Sequence, residues 1–307
     1  MLDTVRVGFH INLTNIQNEK WKYRLDIDTK GREKEVYTKY LPVSYGVWIK
    51  VTYNPPNYIY PLPMLQYELS LPKVRWGNNV NLIQNEAQKE EAISIANRIV
   101  CSKGPVPDVD LGTGIMTRID VAHDHQVGVY VNSYIRALHN LEYPRRDTLP
   151  YRNQGVQYKS RRITTKFYDK ERQSHDPRAH GILRQETTIR SSCYIRDQLG
   201  MEPPVLKNMR LDMSHKILIA DLERLGLYNN PIGGRDFVQD TLVNKYGFTK
   251  GTNLLGYWLT RQTKTREQLI LEGVYIRTIQ QKEKDIRDAG IPLTMTESEI
   301  PLAALVI

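Results

Sequence analysis

The sequence predicts an α+β protein, with a largely antiparallel central sheet followed by a helical C-terminal region. Two observations lead there. Stretches rich in Val, Ile, Thr, Tyr and Phe, several of them alternating, fill the first two hundred residues with few helical interruptions. After "GMEPPVLKN" at 200–208 the periodicity becomes helical to the end of the chain. The expected organisation is a strand-rich region 1–203 and a helical region 204–307, with the boundary near Pro203-Pro204.

Taken in order, the strand candidates are "VRVGFHINL", "YGVWIKVTY", "MLQYELSL", "GIMTRIDVAHDHQVGVYV", "RRITTKFYDK" and "ILRQETTIRS". Between them "QNEAQKEEAISIANRIV" is helical, with Ala92, Ile93, Ala96, Ile99 and Val100 on one stripe, and "VNSYIRALHNL" reads as a helix or a strand extension. The later helices are "SHKILIADLERLGL", "RDFVQDTLVNKYGF", "TNLLGYWLTRQTKTREQLILEG" and "VYIRTIQQKEKDIRDAG". Gly290 ahead of Ile291-Pro292 is a stop signal for the last of them.

Composition narrows the function classes. The 307 residues carry 43 Lys and Arg against 34 Asp and Glu, a net charge of +9 that favours a polyanionic partner, most simply nucleic acid. Nineteen tyrosines supply stacking platforms or half-buried strand positions. Two cysteines, Cys101 and Cys193, form neither a disulfide framework nor a metal knuckle, which fits a reducing compartment such as a cytoplasm. The opening "MLDTVRVGFHINLT" lacks a signal-peptide core, and the apolar "IPLAALVI" at the end is too short to span a bilayer, so no membrane is expected.

Strand alternation places the chemistry. Side chains at i, i+2 and i+4 share a face, which groups Gln66, Glu68 and Ser70; Arg118, Asp120 and Asp124; Thr164, Lys166, Tyr168 and Lys170; and Arg184, Glu186, Thr188 and Arg190. If these polar faces align, carboxylates meet one tyrosine, two lysines and arginines. Carboxylate oxygens suit Mg²⁺ or Mn²⁺, and Lys and Arg neutralise phosphate. A tyrosine with free pKa near 10 is only about 0.1% phenolate at neutral pH, so a cation must activate it as a nucleophile. The same residues could equally make cross-strand ion pairs on an ordinary sheet.

"TRIDVA", "KFYDKERQ" and "LRQETTIR", in this order, resemble the rolling-circle replication initiators of filamentous phages and the related plasmid initiators. "YELSLPKVRWGNNVNL", and "GYWLTRQTKTREQLILEG" followed by "DIRDAGIP", are similar to further stretches of the phage proteins. The likeness touches roughly residues 60–200 and 250–295, and the first 55 residues show no counterpart. It implies an origin-specific single-strand endonuclease and ligase, with Tyr168 as nucleophile forming a 5′-phosphotyrosine link. Asp120 and Glu186, with Glu68, match acids expected near the metal. Arg118 and Arg184 match arginines whose implied role is phosphate or carboxylate pairing, while Lys166 or Lys170 would stabilise the phenolate or the phosphorane.

Several alternatives stay open. His123 and His125 in "AHDHQ" are spaced as metal ligands, but parity turns them away from Asp120, and solvated strand histidines fit as well. Tyr130, Tyr134, Tyr151 and Tyr158 are other nucleophile candidates. "YNNPIGGRD" lacks the Gly-x-x-x-x-Gly-Lys phosphate loop and reads as a turn, so a helicase and a polymerase are expected from the host. Arg190 is a candidate DNA contact. Arg277, Lys282 and Arg287 on the last helix would contact duplex DNA if that helix reads a groove, whereas Glu283, Asp285 and Asp288 suit a solvated surface helix. A relaxase of a conjugative or integrative element, or a non-catalytic DNA-binding regulator, are the competing functions.

Overall fold

The computed structural model describes residues 2–13, 21–27, 31, 33–57, 61–296 and 301–307. Among the described residues ten strands form one sheet, in the order β2-β3-β4-β5-β1-β6-β10-β9-β8-β7. They are β1 (Leu2–Phe9), β2 (Lys22–Ile27), β3 (Glu33–Ser44), β4 (Val47–Asn54), β5 (Met64–Ser70), β6 (Ile115–Gln126), β7 (Asp147–Tyr151), β8 (Gly155–Lys159), β9 (Ile163–Asp169) and β10 (Ile182–Ile189). Antiparallel pairing and a helical C-terminal part bear out the α+β expectation.

The helices are α1 (Leu71–Trp76), α2 (Glu86–Lys103), α3 (Val131–His139), α4 (Lys170–Ser174), α5 (Ser192–Leu199), α6 (Leu211–Leu225), α7 (Arg235–Tyr246), α8 (Phe248–Arg261), α9 (Arg266–Leu271) and α10 (Ile276–Asp288). Three strand expectations are corrected. "GIMTRIDVAHDHQVGVYV" stops being strand at Gln126, and Val131 opens α3. The stretch after "YELS" is the helix α1, with Pro72 in its first turn, where a missing N–H costs nothing. Lys170 is not on the tyrosine strand, because the Asp169 side chain accepts from the Arg172 backbone N–H and caps α4.

The chain divides into two compact units. Unit 1 is Met1–Ala122 with Thr187–Ile217, and unit 2 is His123–Glu186 with Leu218–Ile307. In unit 1, Val5, Val7, Ile49, Val51, Tyr67 and Leu69 face a core that also buries Leu71 and Val74 of α1 and Ala92, Ala96 and Val100 of α2. The alternate residues of β4 and β5 are more exposed, so this part of the sheet has one packed and one open face.

Unit 2 corrects the expected division at residue 203. Composition does change near there, but the unit's core does not. Val156, Tyr158 and Phe167 of β8 and β9 and Leu183 of β10 pack with Leu222 and Leu225 of α6, then Leu227, Leu302 and Leu305. The C-terminal "IPLAALVI", whose Ile300 lies outside the described residues, supplies part of this core. A second cluster joins α7, α8, α9 and α10 through Val238, Leu242, Trp258, Leu269, Ile279 and Ile286.

Candidate active site and its carboxylates

In unit 2, Tyr168 sits near the end of β9 opposite Gly155 of β8. A Cβ on Gly155 would lie 2.1 Å from the Phe167 carbonyl oxygen and 2.7 Å from the Tyr168 Cα, so only glycine lets β8 lie this close at that point. The Tyr168 hydroxyl donates to Glu186 Oε2 at 2.9 Å, and Lys166 Nζ donates to Glu186 Oε1 at 2.6 Å. The Tyr151 ring lies 5.3 Å from that of Tyr168, with Lys166 Nζ 5.2 Å above Tyr151. Tyr168 is 2% exposed and Glu186 8%.

Burial alone would favour a neutral Glu186, but the Lys166 charge and hydrogen bond, the Tyr168 hydrogen bond and the Arg184 charge outweigh it. Together they hold the Glu186 carboxyl below its ordinary range. It is therefore an anion that fixes the phenol hydroxyl in place and can accept its proton.

β9 is anchored on its other side by a network that the sequence reading missed. Thr165 Oγ1 donates to Asp221 Oδ2 at 2.7 Å, Arg146 donates to Thr165 Oγ1 at 2.6 Å, and the Tyr143 hydroxyl donates to Asp221 Oδ1 at 2.5 Å. Burial, then the Asp221 charge, pushes the Tyr143 phenol far up. The available signal was Thr165 itself, a polar residue sharing a strand face with Ile163 and Phe167, where a buried hydroxyl needs a partner.

Unit 1 holds a second constellation. Arg118 donates to both oxygens of Asp120, at 2.9 and 2.6 Å, and reaches Glu68 Oε1 at 3.4 Å. Arg6 also pairs with Glu68, its Nε 2.6 Å from Oε2. The antiparallel registers Arg6↔Glu68 and Arg6↔Arg118 put these side chains across one another. Asp120 is 4% exposed. Asp120 and Glu68 thus share the Arg118 guanidinium, while Glu186 is engaged by Lys166 and Tyr168. Among the described residues, no three His, Cys, Asp or Glu side chains gather as a metal site.

The remaining candidates fall into place as follows. Arg184 is fully buried and bidentate to Asp124 at 2.6 and 2.7 Å, the carboxylate pairing that is one of its two expected roles. Lys170 is also fully buried and donates to Gln173 at 2.6 Å. Arg190 lies just past the end of β10 and is exposed. Arg277 is exposed, Lys282 donates to Asn253 at 2.8 Å, and Arg287 lies 3.9 Å from Glu283. Glu283 corrects the solvated-helix reading: it is 1% exposed and accepts from Tyr257, Arg261 and Arg266.

His125 is another correction. It is buried against Gln185 at 3.1 Å, and desolvation lowers its pKa. Of the other tyrosines, Tyr134 and Tyr158 donate to backbone carbonyls of Ala303 and Leu138. Burial pushes Tyr134 up to about 12 and Tyr158 higher still, which makes both poor nucleophiles. Tyr151 stacks near Tyr168, and Tyr130 is exposed.

No helix among the described residues is long and apolar enough to cross a membrane. No protein-family model matches the chain, and no curated protein matches it. Among solved structures, that of a rolling circle replication initiator protein from Geobacillus stearothermophilus is similar to this chain at 12% sequence identity, covering 62% of this chain and 74% of that one, with a TM-score of 0.27.

Proposed function

We propose that the protein is a DNA strand-nicking and strand-joining endonuclease that initiates rolling-circle replication, with Tyr168 as its nucleophile. The observation that carries the reading is the hydrogen bond from the Tyr168 hydroxyl to Glu186, a carboxylate kept ionised by Lys166. The motif order of "TRIDVA", "KFYDKERQ" and "LRQETTIR" supports it.

In this reading the Tyr168 oxygen attacks the scissile phosphorus while its proton passes to Glu186 Oε2. The tyrosyl O–P bond forms and the P–O3′ bond breaks, leaving a 5′-phosphotyrosine and a 3′-oxyanion that takes a proton from water, while Glu186 returns to solvent the proton it accepted. One phosphodiester replaces another, so the step is readily reversed and the same residues rejoin strands. Lys166 has a second role. As it turns toward an entering phosphate it releases Glu186 from its ion pair, and the carboxylate becomes a stronger base when the proton must move.

Asp120 and Glu68 are the donor pair that fits Mg²⁺ or Mn²⁺: hard oxygens facing one guanidinium that a divalent ion could replace, with Arg118 and Arg6 balancing their charge meanwhile. Such an ion supplies charge that neutralises phosphate oxygens. Glu186, engaged with Tyr168 and Lys166, is assigned to the tyrosine and not to the metal. A host helicase and polymerase, acting on the free 3′-OH in a bacterial cytoplasm, complete the proposal.

One observation favours the second reading, a DNA-binding regulator without catalysis. Tyr168 is almost wholly covered, so attack requires it to be uncovered. Incubation with Mn²⁺ and single-stranded oligonucleotides from around the coding region separates the two. The nickase reading expects a protein–DNA adduct that survives denaturing electrophoresis and reverses when a strand with a free 3′-OH is added. Tight binding with no adduct on any strand, across metals, would establish the regulator.

A further inference from the structure

Residues of β1 to β5 line a cleft of about 520 Å³ on the open face of unit 1, all but Gln66 from the first 55 residues, which match no motif. Register places its floor. Lys22 lies opposite Thr38, Thr38 opposite Thr52, Tyr40 opposite Lys50, and Thr52 opposite Gln66, so β2 to β5 contribute alternate residues to one face. Five cations, Arg6, Lys22, Arg24, Lys34 and Lys50, line it against the single acid Asp26, which makes the cleft electropositive.

These cations are not equivalent. Arg6 is paired with Glu68 and Arg24 with Asp26. Lys22 and Lys50 make no ion pair among the described residues, which leaves their charge to an anion from outside. Two aromatic rings share this face: Tyr40, 47% exposed, and Trp48, 52% exposed and two residues before Lys50 on β4. Cations interleaved with exposed rings on a concave sheet face suit a flexible polyanion whose bases can stack.

The cleft adjoins a second, mainly apolar pocket, with Lys34, Asn54 and Gln66 common to both and His10, Leu62 and Met64 on its walls. Asn54 is 9% exposed and lines both pockets, and among the described residues its side-chain amide makes no protein hydrogen bond. An amide on the wall of an apolar pocket is a donor and acceptor available to a group that enters it. An unstacked base offers what is needed, a flat apolar body with donors and acceptors along one edge.

We propose that this cleft binds single-stranded DNA, with backbone phosphates on Lys22 and Lys50, bases stacked on Tyr40 and Trp48, and one splayed base in the pocket beside Asn54 and Gln66. It gives the N-terminal 55 residues the task of gripping the strand that the proposed nickase cuts. It rests on the DNA reading above, but not on Tyr168 being the nucleophile.

The test is fluorescence anisotropy on the full chain without divalent metal, so that cleavage does not enter. Probes are a labelled single strand, the same strand with abasic positions, and the matching duplex. Lys22→Ala combined with Lys50→Ala should weaken single-strand binding at least tenfold and reduce the slope of log K against log salt by about 1.4, two contacts at about 0.7 each. Asn54→Leu, which keeps the volume and removes the amide, should narrow the preference for intact over abasic strand. Tyr40→Ala should do the same by removing a stacking face. Single-strand binding that survives the double lysine variant with an unchanged salt slope overturns the site, as does an equal loss on duplex. A protein that binds none of the probes removes this site and the DNA reading together, whereas binding that follows the cleft variants without any covalent adduct leaves this site standing and removes only the nickase.

Discussion

Unit 1 and unit 2 both bring carboxylates together with cations on a sheet face, but the partners differ in kind. In unit 1, Asp120 and Glu68 are held by Arg118 and Arg6, guanidiniums that stay protonated at any working pH. In unit 2, Glu186 is held by Lys166 and by the hydroxyl of Tyr168. An arginine-locked carboxylate can exchange its cation for another, but it has no proton to trade. A tyrosine-bound carboxylate can take a proton and create a nucleophile. Under the proposed function, the first cluster would take the ion and the second would supply the nucleophile.

The largest expected effect comes from breaking the unit that carries the nucleophile. Cutting the chain at residue 203 removes Leu222, Leu225, Leu227, Leu302 and Leu305 from the core beneath Phe167 and Leu183. Each large apolar side chain lost from a core costs about 2–5 kcal/mol, so this truncation exceeds the stability of an ordinary domain. Residues 1–203 should give insoluble or molten protein with no cooperative melt. A soluble fragment with a cooperative transition would restore the strand domain read from composition.

Next is Glu186→Gln, which keeps shape and removes the proton acceptor. Nicking should fall by about 10²–10⁴-fold, the usual contribution of a positioned base, while single-strand binding changes little. Stability offers an independent readout. A carboxyl whose folded pKa lies below its unfolded value adds stability that is present above the unfolded value and is lost as pH falls through the folded one. Glu186 is lowered from an ordinary 4.5, so wild type should lose this stabilisation in acid below about that pH, and the Gln variant should show a flatter acid limb. Identical acid limbs would mean that Lys166 and Tyr168 do not hold the charge.

The smallest effect tests unit 1. Arg118→Met unlocks Asp120 and leaves Glu68 with Arg6 alone. Asp120 is 4% exposed, so losing its bidentate partner leaves a buried carboxylate without that charge, and the melting temperature should fall in metal-free buffer and recover in part with Mn²⁺. Mn²⁺ titrated calorimetrically should bind several-fold more tightly, because the competing cation is gone. Unchanged or weaker binding would show that Asp120 and Glu68 do not form the cation site.

Legibility in the sequence followed what alternation can report. The parity of "MLQYELSL" separated Glu68 from Leu65, Tyr67 and Leu69, and that of "TTKFYD" put Lys166 beside Tyr168, as found. Alternation does not say whether a polar face meets water. All eight residues of β10 are buried, so Arg184 became an interior partner of Asp124. Lys170 was misplaced because Asp169 reads equally as the last strand residue and as a helix cap. β2 and β3 were missed because Lys22, Arg24, Asp26, Lys34 and Thr38 dilute the apolar signal, and that same dilution forms the basic cleft. The boundary at 203 failed for a different reason. Composition reports where helices begin, not which core they complete.

The proposed function requires that Tyr168, and no other tyrosine, carries the covalent link. The direct measurement is to trap the adduct with a short oligonucleotide, digest it with protease and nuclease, and map the modified residue by mass spectrometry. The account predicts a nucleotide on Tyr168 in wild type and no adduct from Tyr168→Phe, whose fold and single-strand affinity stay within a few-fold. A nucleotide on Tyr130 or Tyr151, or an adduct that persists in the Phe variant, would contradict it.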